Sequence, residues 1–374
     1  MKEINKYAWY FPNWHATPLN DMWHGKGWTE WECVKLARPR FEGHQCPRIP
    51  LWGYEDESDP IVFEKKIKAA HDHGIDGFIF DFYWFKEFGA YRIDALNNGF
   101  LKAPSNELMT FSVMWCNHDP IYVHPANFRN KSNVLTTGAI DAQLMYEVTD
   151  YCIKNYFPKP NYQRVDGKVY FGLWDTGRFI NDFGGENGAA IILKDFRARA
   201  LEAGFELHIA VCVSGLPGYA ERDAERINDV IKTLGIDSVF SYAWDIPESH
   251  DWPKVEYREF REKNLRKYRE ATKLFDVPFD ITVSTGWDTN PRTVQSDGFD
   301  KDCGYPYSPI VINNTPDEVE QSFAGAKAFI DSGMATANML TVSTWNEWTE
   351  GNFMEPDNLY GYGYLEAFKR VFGK

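Results

Sequence analysis

Hydrophobic positions along the chain fall into short dense runs separated by longer stretches in which apolar residues recur every three or four positions. The runs are 7–11 (YAWYF), 76–84 (DGFIFDFYW), 110–116 (TFSVMWC), 169–175 (VYFGLWD), 208–214 (HIAVCVS), 238–244 (SVFSYAW), 279–288 (FDITVSTGWD) and 338–345 (NMLTVSTW). Such runs, apolar nearly throughout, suit strands covered on both faces, as in a parallel sheet. The intervening stretches 61–73, 139–156, 188–204, 222–235, 256–275 and 316–334 carry helical spacing. Gly74, Gly204, Gly235 and Gly333 each follow a helical stretch, where a left-handed residue commonly ends the helix. A weaker helical pattern covers 92–103, and the triplet Gly-Ile-Asp recurs at 74–76 and 235–237, just ahead of the second and sixth runs.

Alternating strand and helix without a break in the pattern predicts a single (β/α)₈ barrel domain over residues 1–374. The length of 374 residues suits a barrel with inserted loops. The longest insertion, 20–50 (NDMWHGKGWTEWECVKLARPRFEGHQCPRIP), reads as an irregular loop after the first strand; loops of that length in compact domains usually serve function. Its Glu30 and Trp31 are placed to reach the barrel mouth or to brace it. HGKGW lacks the spacing of a nucleotide-binding turn, and no P-loop or nucleophile elbow occurs elsewhere.

A barrel gathers its chemistry at the C-terminal ends of its strands, and those ends can be read in order. They carry Trp9, Tyr10 and Asn13; Asp81, Tyr83 and Trp84; Trp115, Asn117 and His118; Trp174 and Asp175; Ser214; Tyr242, Trp244 and Asp245; Trp287, Asp288 and Arg292; and then Trp345, Asn346, Glu347, Trp348, Thr349 and Glu350. The N-terminal ends hold no comparable cluster of rings and acids. Aromatic residues make up 16% of the chain; beside carboxylates, flat rings suit the apolar faces of sugars.

Glu347 and Glu350 are the candidate catalytic pair. Two carboxylates three positions apart, directly after an apolar strand, can point into one pocket, and glycoside cleavage needs such a pair. Their roles require environments that separate their proton affinities; Trp345 and Trp348 could desolvate one, while Asn346 bonds the other. A solvated acidic turn would present the same letters, and it is the position after the eighth strand that favours chemistry.

The formal net charge of −14 disfavours nucleic acid and anionic lipid as partners. No apolar run approaches the ~20 residues of a membrane span. The opening residues lack signal-peptide architecture, although a leader removed earlier would leave the same start. The cysteines, Cys33, Cys46, Cys116, Cys152, Cys212 and Cys303, form no paired or zinc-like spacing and read as reduced thiols, which favours an intracellular setting. His71 and His73 face apart on a helix, and His118, Asp119 and His124 have no standard ligand spacing, so neither a metal nor another cofactor is expected.

With these residues set out, the chain resembles the glycoside hydrolase family 99-like group, also called the WbsX-like domain. The resemblance rests on YFPNWH (10–15), NDMWHGKGWTEW (20–31), GHQCPRIPLWGYEDESDP (43–60), GIDGFIFDFYWF (74–85), GWDTNPR (286–292) and WNEWTEGNFMEPDNLYGYGYLEA (345–367). It implies a (β/α)₈ barrel whose hydrolase branch cleaves α-mannosidic linkages with retention and without a metal. By that resemblance Glu347 deprotonates the sugar 2-hydroxyl, which attacks the anomeric carbon, while Glu350 acts first as acid and then as base. The chain departs from the WANE segment common after the third strand: it reads WCNHD at 115–119, with His118 where the relatives have an acid. The WbsX-like branch is also described as polysaccharide-biosynthesis glycosyltransferases, so a transferase or transglycosylase using the same carboxylates is the enzymatic alternative. A barrel that only binds carbohydrate is the non-enzymatic one.

Overall fold

The computed structural model describes residues 4–126, 133–294, 298–300 and 303–373. Eight parallel strands close on themselves: β1 Asn5–Tyr10, β2 Gly77–Phe85, β3 Thr110–Trp115, β4 Lys168–Leu173, β5 Leu207–Cys212, β6 Ser238–Phe240, β7 Phe279–Ser284 and β8 Met339–Ser343. Closure is made by β1, which pairs with β2 through Tyr7 and Gly77 and with β8 through Lys6 and Leu340. All eight predicted runs are barrel strands.

The helices are α1 Pro18–His24, α2 Trp31–Leu36, α3 Pro60–Asp72, α4 Ala142–Asn155, α5 Thr176–Asp182, α6 Glu186–Glu202, α7 Ala224–Leu234, α8 Tyr257–Ala271, α9 Pro316–Asp331 and α10 Gly363–Phe372. The six predicted helices are α3, α4, α6, α7, α8 and α9. The stretch after β1 is more ordered than an irregular loop, because Thr17 caps Pro18–His24 by accepting the Asn20 amide and Trp31 packs 4.0 Å from Trp14. The predicted helix at 92–103 is instead a π turn at Ala95–Gly99 followed by short 3₁₀ turns. A Cβ on Gly99 would lie 2.2 Å from the Glu57 carbonyl and 2.3 Å from the Phe63 ring, so close packing on α3 fixes this irregular path. α10 lies beyond the predicted helices; it packs on α9 through Phe368 and Phe323, 5.0 Å apart.

The recurrent Gly-Ile-Asp triplet has a shared physical role. Gly74 and Gly235 take positive φ after a helix, Ile75 and Ile236 are buried, and the aspartates reach the neighbouring strand. The Asp76 carboxylate accepts the Lys6 amide at 2.8 Å and the Asp237 carboxylate accepts the Ile209 amide at 2.9 Å.

Side chains alternate strictly across the barrel wall. Tyr7 and Trp9 of β1, Ile79 of β2, Met114 of β3, Tyr170 of β4, Ala210 of β5 and Phe240 of β6 fill the interior, whereas Tyr10, Phe78, Phe80, Trp84 and Trp115 pack outward under the helices. All six cysteines are free thiols. No helix among the described residues is long and apolar enough to cross a membrane.

A buried polar chain ties α3 to both ends of the barrel sequence. Lys66 Nζ lies 2.6 Å from Glu355 Oε1, whose carboxylate also accepts the indole N–H groups of Trp345 at 2.9 Å and Trp348 at 2.7 Å. Lys66 donates to the Tyr10 hydroxyl at 3.0 Å, which donates to Glu57 at 2.8 Å, and Glu57 also accepts the Trp14 amide. Removing one member of a buried pair strands the other charge, at a cost of about 3–5 kcal/mol. Glu355→Gln is therefore expected to lower the urea midpoint by that order. The double variant Lys66→Met/Glu355→Gln should lose less than the sum of the single losses; additive losses would show that the pair does not act as a unit.

Candidate active site

After β8 the chain reverses in a tight hairpin, Asn346–Glu347 against Asn352–Phe353, with a 3₁₀ turn at Trp348–Glu350 between them. Gly351 closes the turn at φ 60, and a Cβ there would lie 2.6 Å from that of Asp288, so no larger residue fits. The Thr344 hydroxyl accepts the Glu347 amide at 2.7 Å, and Asn346 exchanges two hydrogen bonds with the Phe11 backbone at 2.9 and 3.0 Å. The hairpin is thereby fixed to β1, and both glutamates project into a cavity of about 750 Å³ at the C-terminal mouth.

One guanidinium spans the pair. Arg292 donates from Nη2 to Glu347 Oε1 at 3.0 Å and from Nη1 to Glu350 Oε1 at 2.7 Å. Its Nη2 is also 3.6 Å from Glu30 Oε1, and the Thr349 hydroxyl donates to that same carboxylate. Tyr305 donates to Glu350 Oε1 at 2.7 Å. These groups are almost entirely enclosed, so their charges interact with little screening by water.

The far oxygen of Glu347 belongs to a second unit. The Tyr242 hydroxyl lies 2.9 Å from Glu347 Oε2 and 3.0 Å from Asp81 Oδ2. A phenol has one proton to donate, so both contacts are hydrogen bonds only when one of the two carboxyls is protonated. The electrostatics agree. Burial, reinforced by Glu350, pushes Glu347 well above the usual carboxylate range, with Arg292 and Tyr242 opposing. Burial pushes Asp81 up to about 8, with the Tyr242 hydrogen bond and Arg92 opposing.

Aromatic rings make the walls. Trp174 meets Tyr242 edge-on at 5.2 Å, and Trp9 lies beneath it at 5.4 Å. Trp287 and Trp244 are anchored through their indole N–H groups, to Ser308 at 2.8 Å and to the Thr282 carbonyl at 2.7 Å. His118 lines the cavity; its Nδ1 is 3.2 Å from the Asp119 carbonyl, which can only accept, so Nδ1 carries the ring proton and Nε2 is the accepting nitrogen. Burial lowers the His118 pKa and keeps the ring neutral.

Of the residues picked from the sequence, Asp81, Tyr83, His118, Trp174, Ser214, Tyr242, Trp244, Asp245, Trp287 and Arg292 line this cavity with Glu347 and Glu350. The remaining strand-end residues do not. Tyr10, Trp84 and Trp115 fall on the outward phase of their strands: Tyr10 bonds Glu57, Trp84 bonds Glu147 at 3.2 Å, and Trp115 is buried in the outer core. Trp9 points inward but one layer too deep, under Tyr242. Asn117 is engaged by the Asp175 backbone through two bonds of 2.8 Å, and the Asp175 carboxylate caps α5 through the Arg178 amide. Asn346 holds Phe11, and Trp348 stacks on Phe353 at 3.8 Å, away from the cavity.

Asp288 pairs with His44 at 2.8 Å. With Cys46 these two place ligand-type atoms within 4.8 Å of one another. However, His44 Nδ1 accepts the Arg40 amide at 3.2 Å, so the ring proton sits on Nε2 and is donated to Asp288. Cys46 takes a hydrogen bond from Asn290 at 3.1 Å. The trio is a polar brace holding the insertion after β1 against the segment after β7. Glu30 and Trp31 likewise brace: Glu30 accepts from Asn13 at 2.6 Å and Thr349, and Trp31 packs on Trp14.

Several cavity residues were not read as part of the site: Phe11, Trp23, His24, Tyr91, Arg92, Val123 and Tyr305, with His124 weighed only as a metal ligand. They sit just after β1 and on the insertion that follows it, on and beside the strand Gly89–Tyr91 that folds back on β2, and on the excursions after β3 and β7. Phe11 ends the first apolar run and Arg92 opens the weak pattern at 92–103, but neither period marks a side chain for the mouth; contacts distant in sequence bring these residues there.

Residues 6–368 match the family model described as glycosyltransferase WbsX. Two curated relatives, each called uncharacterized protein WxcX, from strains of Xanthomonas campestris pv. campestris, are 24% identical over 97% of this chain. The chain spans only 49% of their length. Among solved structures, a glycoside hydrolase-like protein superposes with TM-score 0.63 at 16% identity, covering 100% of this chain and 95% of its own. The GH99 endo-alpha-mannosidase from Bacteroides thetaiotaomicron does so with TM-scores of 0.58 and 0.55 in two structures, at 14% identity, covering 98% of this chain and 95% of its own. At those identities the likeness concerns the fold.

The proton held around Asp81 has a measurable consequence. Because its pKa is raised in the folded state from 3.8 to about 8, folding favours the protonated carboxyl. That contribution is complete below the unfolded pKa and is lost as pH rises through about 8. Asp81→Asn cannot titrate, so its denaturation midpoint, relative to the unaltered chain, should rise steadily between pH 5 and pH 9. Parallel stability curves for the two proteins over that range would rule out proton uptake at this site.

Proposed function

The chain belongs to the WbsX glycosyltransferase family, and from that premise we propose that it is a retaining glycoside hydrolase acting on a poly- or oligosaccharide with Glu347 and Glu350 as its catalytic carboxylates. The observation that carries this reading is the pair itself: two glutamates, both nearly buried, converging on one aromatic-walled cavity and spanned by one arginine. Glycoside cleavage requires that one carboxyl protonate the departing oxygen while another manages the anomeric centre.

In the proposed sequence Glu347 takes the proton of the sugar 2-hydroxyl as O2 bonds to the anomeric carbon. The glycosidic carbon–oxygen bond breaks in the same step, and Glu350 gives its proton to the leaving oxygen. Water then attacks the anomeric carbon of the resulting 1,2-anhydro sugar. Glu350, now a carboxylate, accepts a water proton, and Glu347 returns its proton to O2. Two inversions give retention. A raised Glu347 pKa supports the basic role, because a base acting on a hydroxyl gains from high proton affinity. The Arg292 fork holds the pair in position, and its second nitrogen stabilises Glu350 as the carboxylate formed once the leaving oxygen is protonated. An α-mannoside is the substrate this scheme fits, with Trp174, Trp287 and Tyr83 offering sugar-facing rings and His118 Nε2 an acceptor for a hydroxyl. Transfer to a sugar hydroxyl in place of water would use the same groups; the family description favours testing it, and analysis of products with added acceptor sugars separates the two.

Glu347→Gln and Glu350→Gln are each expected to lower turnover ~10²–10⁴-fold, since acid–base steps contribute on that scale. The double variant should lose less than the product of the two. Substrates with an activated leaving group should partly restore Glu350→Gln and not Glu347→Gln, and a 2-deoxy substrate should resist the unaltered enzyme. Near-normal turnover by Glu347→Gln, or normal cleavage of the 2-deoxy substrate, would overturn the 2-hydroxyl scheme.

A further inference from the structure

Arg92 follows the short strand Gly89–Tyr91 and adopts φ 59, the left-handed region that non-glycine residues rarely occupy. Such backbone persists where its surroundings over-determine it, and it concentrates at functional sites. The side chain is 8% exposed and lines the catalytic cavity. Its guanidinium lies 4.5 Å from the Tyr91 ring centroid, 4.9 Å from Tyr83 and 5.0 Å from Phe11. Rings on several sides hold the cation in place and offer it only partial compensation.

What it lacks is a directly paired anion. Among the described residues no carboxylate comes within ion-pairing distance of Arg92; Glu30 and Asp81 act on its charge only from farther off, and its buried Nε has no hydrogen-bond partner. The Tyr91 hydroxyl is within its reach, but burial keeps that phenol protonated and neutral. The other enclosed arginines differ: Arg292 engages Glu347, Glu350 and Glu30, and Arg48 is paired with Asp357. A buried charge left unpaired is costly, and native proteins retain one only rarely.

Two histidines beside Arg92 can each turn a ring N–H toward an anion. His24 and His124 line the same cavity, and each has a buried ring nitrogen, Nδ1 of His24 and Nε2 of His124, without a hydrogen-bond partner. His124 Nε2 is 3.3 Å from Glu30 Oε1 but poorly aligned with it. Burial first, and Arg92 next, lower His24 to about 4; burial, Arg292 and Arg92 lower His124 well below its ordinary value. This corner thus presents one fixed positive charge and two neutral rings able to donate. A sugar hydroxyl can satisfy donors; it cannot neutralise the charge.

We propose that Arg92, with His24 and His124, forms a subsite for an anionic substituent of the glycan, a carboxylate or a sulfate ester. This rests on the carbohydrate-cleaving reading of the same cavity and narrows its substrate class to acidic glycans. A neutral analogue would leave the guanidinium buried and unpaired, and sites of that kind discriminate strongly.

The test uses the full chain carrying Glu350→Gln, so that turnover does not obscure binding, and measures calorimetric affinity for glucuronate, glucose 6-sulfate and glucose. The expected result is that one or both acidic sugars bind more tightly than glucose. Adding Arg92→Gln should weaken the acidic ligand about 10- to 100-fold, the scale of hydrogen bonds to charged groups, and leave glucose unchanged; Arg92→Lys should retain part of the preference. Glucuronate alone binding assigns a carboxylate, and glucose 6-sulfate alone a sulfate. Equal affinity for all three sugars, or an acidic preference that survives Arg92→Gln, would overturn the proposal, and the first comparison needs no Arg92 variant to fold. Paired hydrolysis assays separate this from the parent reading. Acidic glycans cleaved no better than neutral ones, and equally by the unaltered enzyme and Arg92→Gln, would sink the anion subsite and leave the hydrolase standing. An Arg92-dependent acidic preference without Glu347-dependent cleavage of any glycan would do the reverse.

Discussion

Everything at the barrel mouth is arranged around a concentration of buried carboxylates. Glu30, Asp81, Glu347 and Glu350 are all nearly buried within one small volume, and Arg292 is the cation that engages three of them. Glu347 and Asp81 bear the strain: burial raises both above the usual carboxylate range, and the neighbouring carboxylates push them further. The structure resolves the conflict in two ways. Arg292 neutralises the side facing Glu30 and Glu350, and Tyr242 makes a proton on Asp81 or Glu347 structurally useful by needing it to complete two hydrogen bonds. Arg292 touches both glutamates, but only Glu347 shares the Tyr242 hydroxyl with Asp81 and only Glu350 accepts from Tyr305, so the two sit in unlike surroundings.

The scaffold enforces that geometry through parity. On a barrel strand a shift of one residue moves a side chain from the lumen to the helix layer. Asp81 and Tyr83 face in while Phe82 and Trp84 face out, so an acid and a ring reach the cavity from one strand and a large apolar face remains for α4. Beyond the strands no parity operates. There the Glu347–Glu350 hairpin is positioned by explicit polar contacts, from Asn346 to Phe11 and from Thr344 to Glu347, and by a turn that only glycine at 351 can make.

This division explains which parts could be read from the sequence. Eight strands and six of the helices follow from hydrophobic periodicity, which is a local property of the chain. The glutamate pair was legible because it lies directly after a strand, where the barrel dictates location. Tyr10, Trp84 and Trp115 were misplaced because a run that is apolar on both faces, such as GFIFDFYWF, contains no alternation from which to fix the phase. Asp175 and Asn117 have the composition of ligand-binding residues, yet the same groups cap helices and clamp backbone, and only coordinates separate those uses. Arg92 and Tyr305 were invisible for a different reason: their positions follow from how irregular excursions pack on one another, and that information is spread over distant parts of the chain.

The Lys66–Glu355 chain of contacts also bears on how the protein comes into being. Lys66, Tyr10 and Glu57 are synthesised well before Glu355 and the indoles of Trp345 and Trp348 that they meet in the folded chain. Until then β1 has no β8 beside it, and a lysine destined for the interior has no anion to meet. The stretch from β8 to Glu355 closes the sheet against β1, gives the buried lysine its anion and brings in both Glu347 and Glu350. Barrel closure and assembly of the glutamate pair thus depend on the same stretch of polypeptide, and neither can be completed without the other.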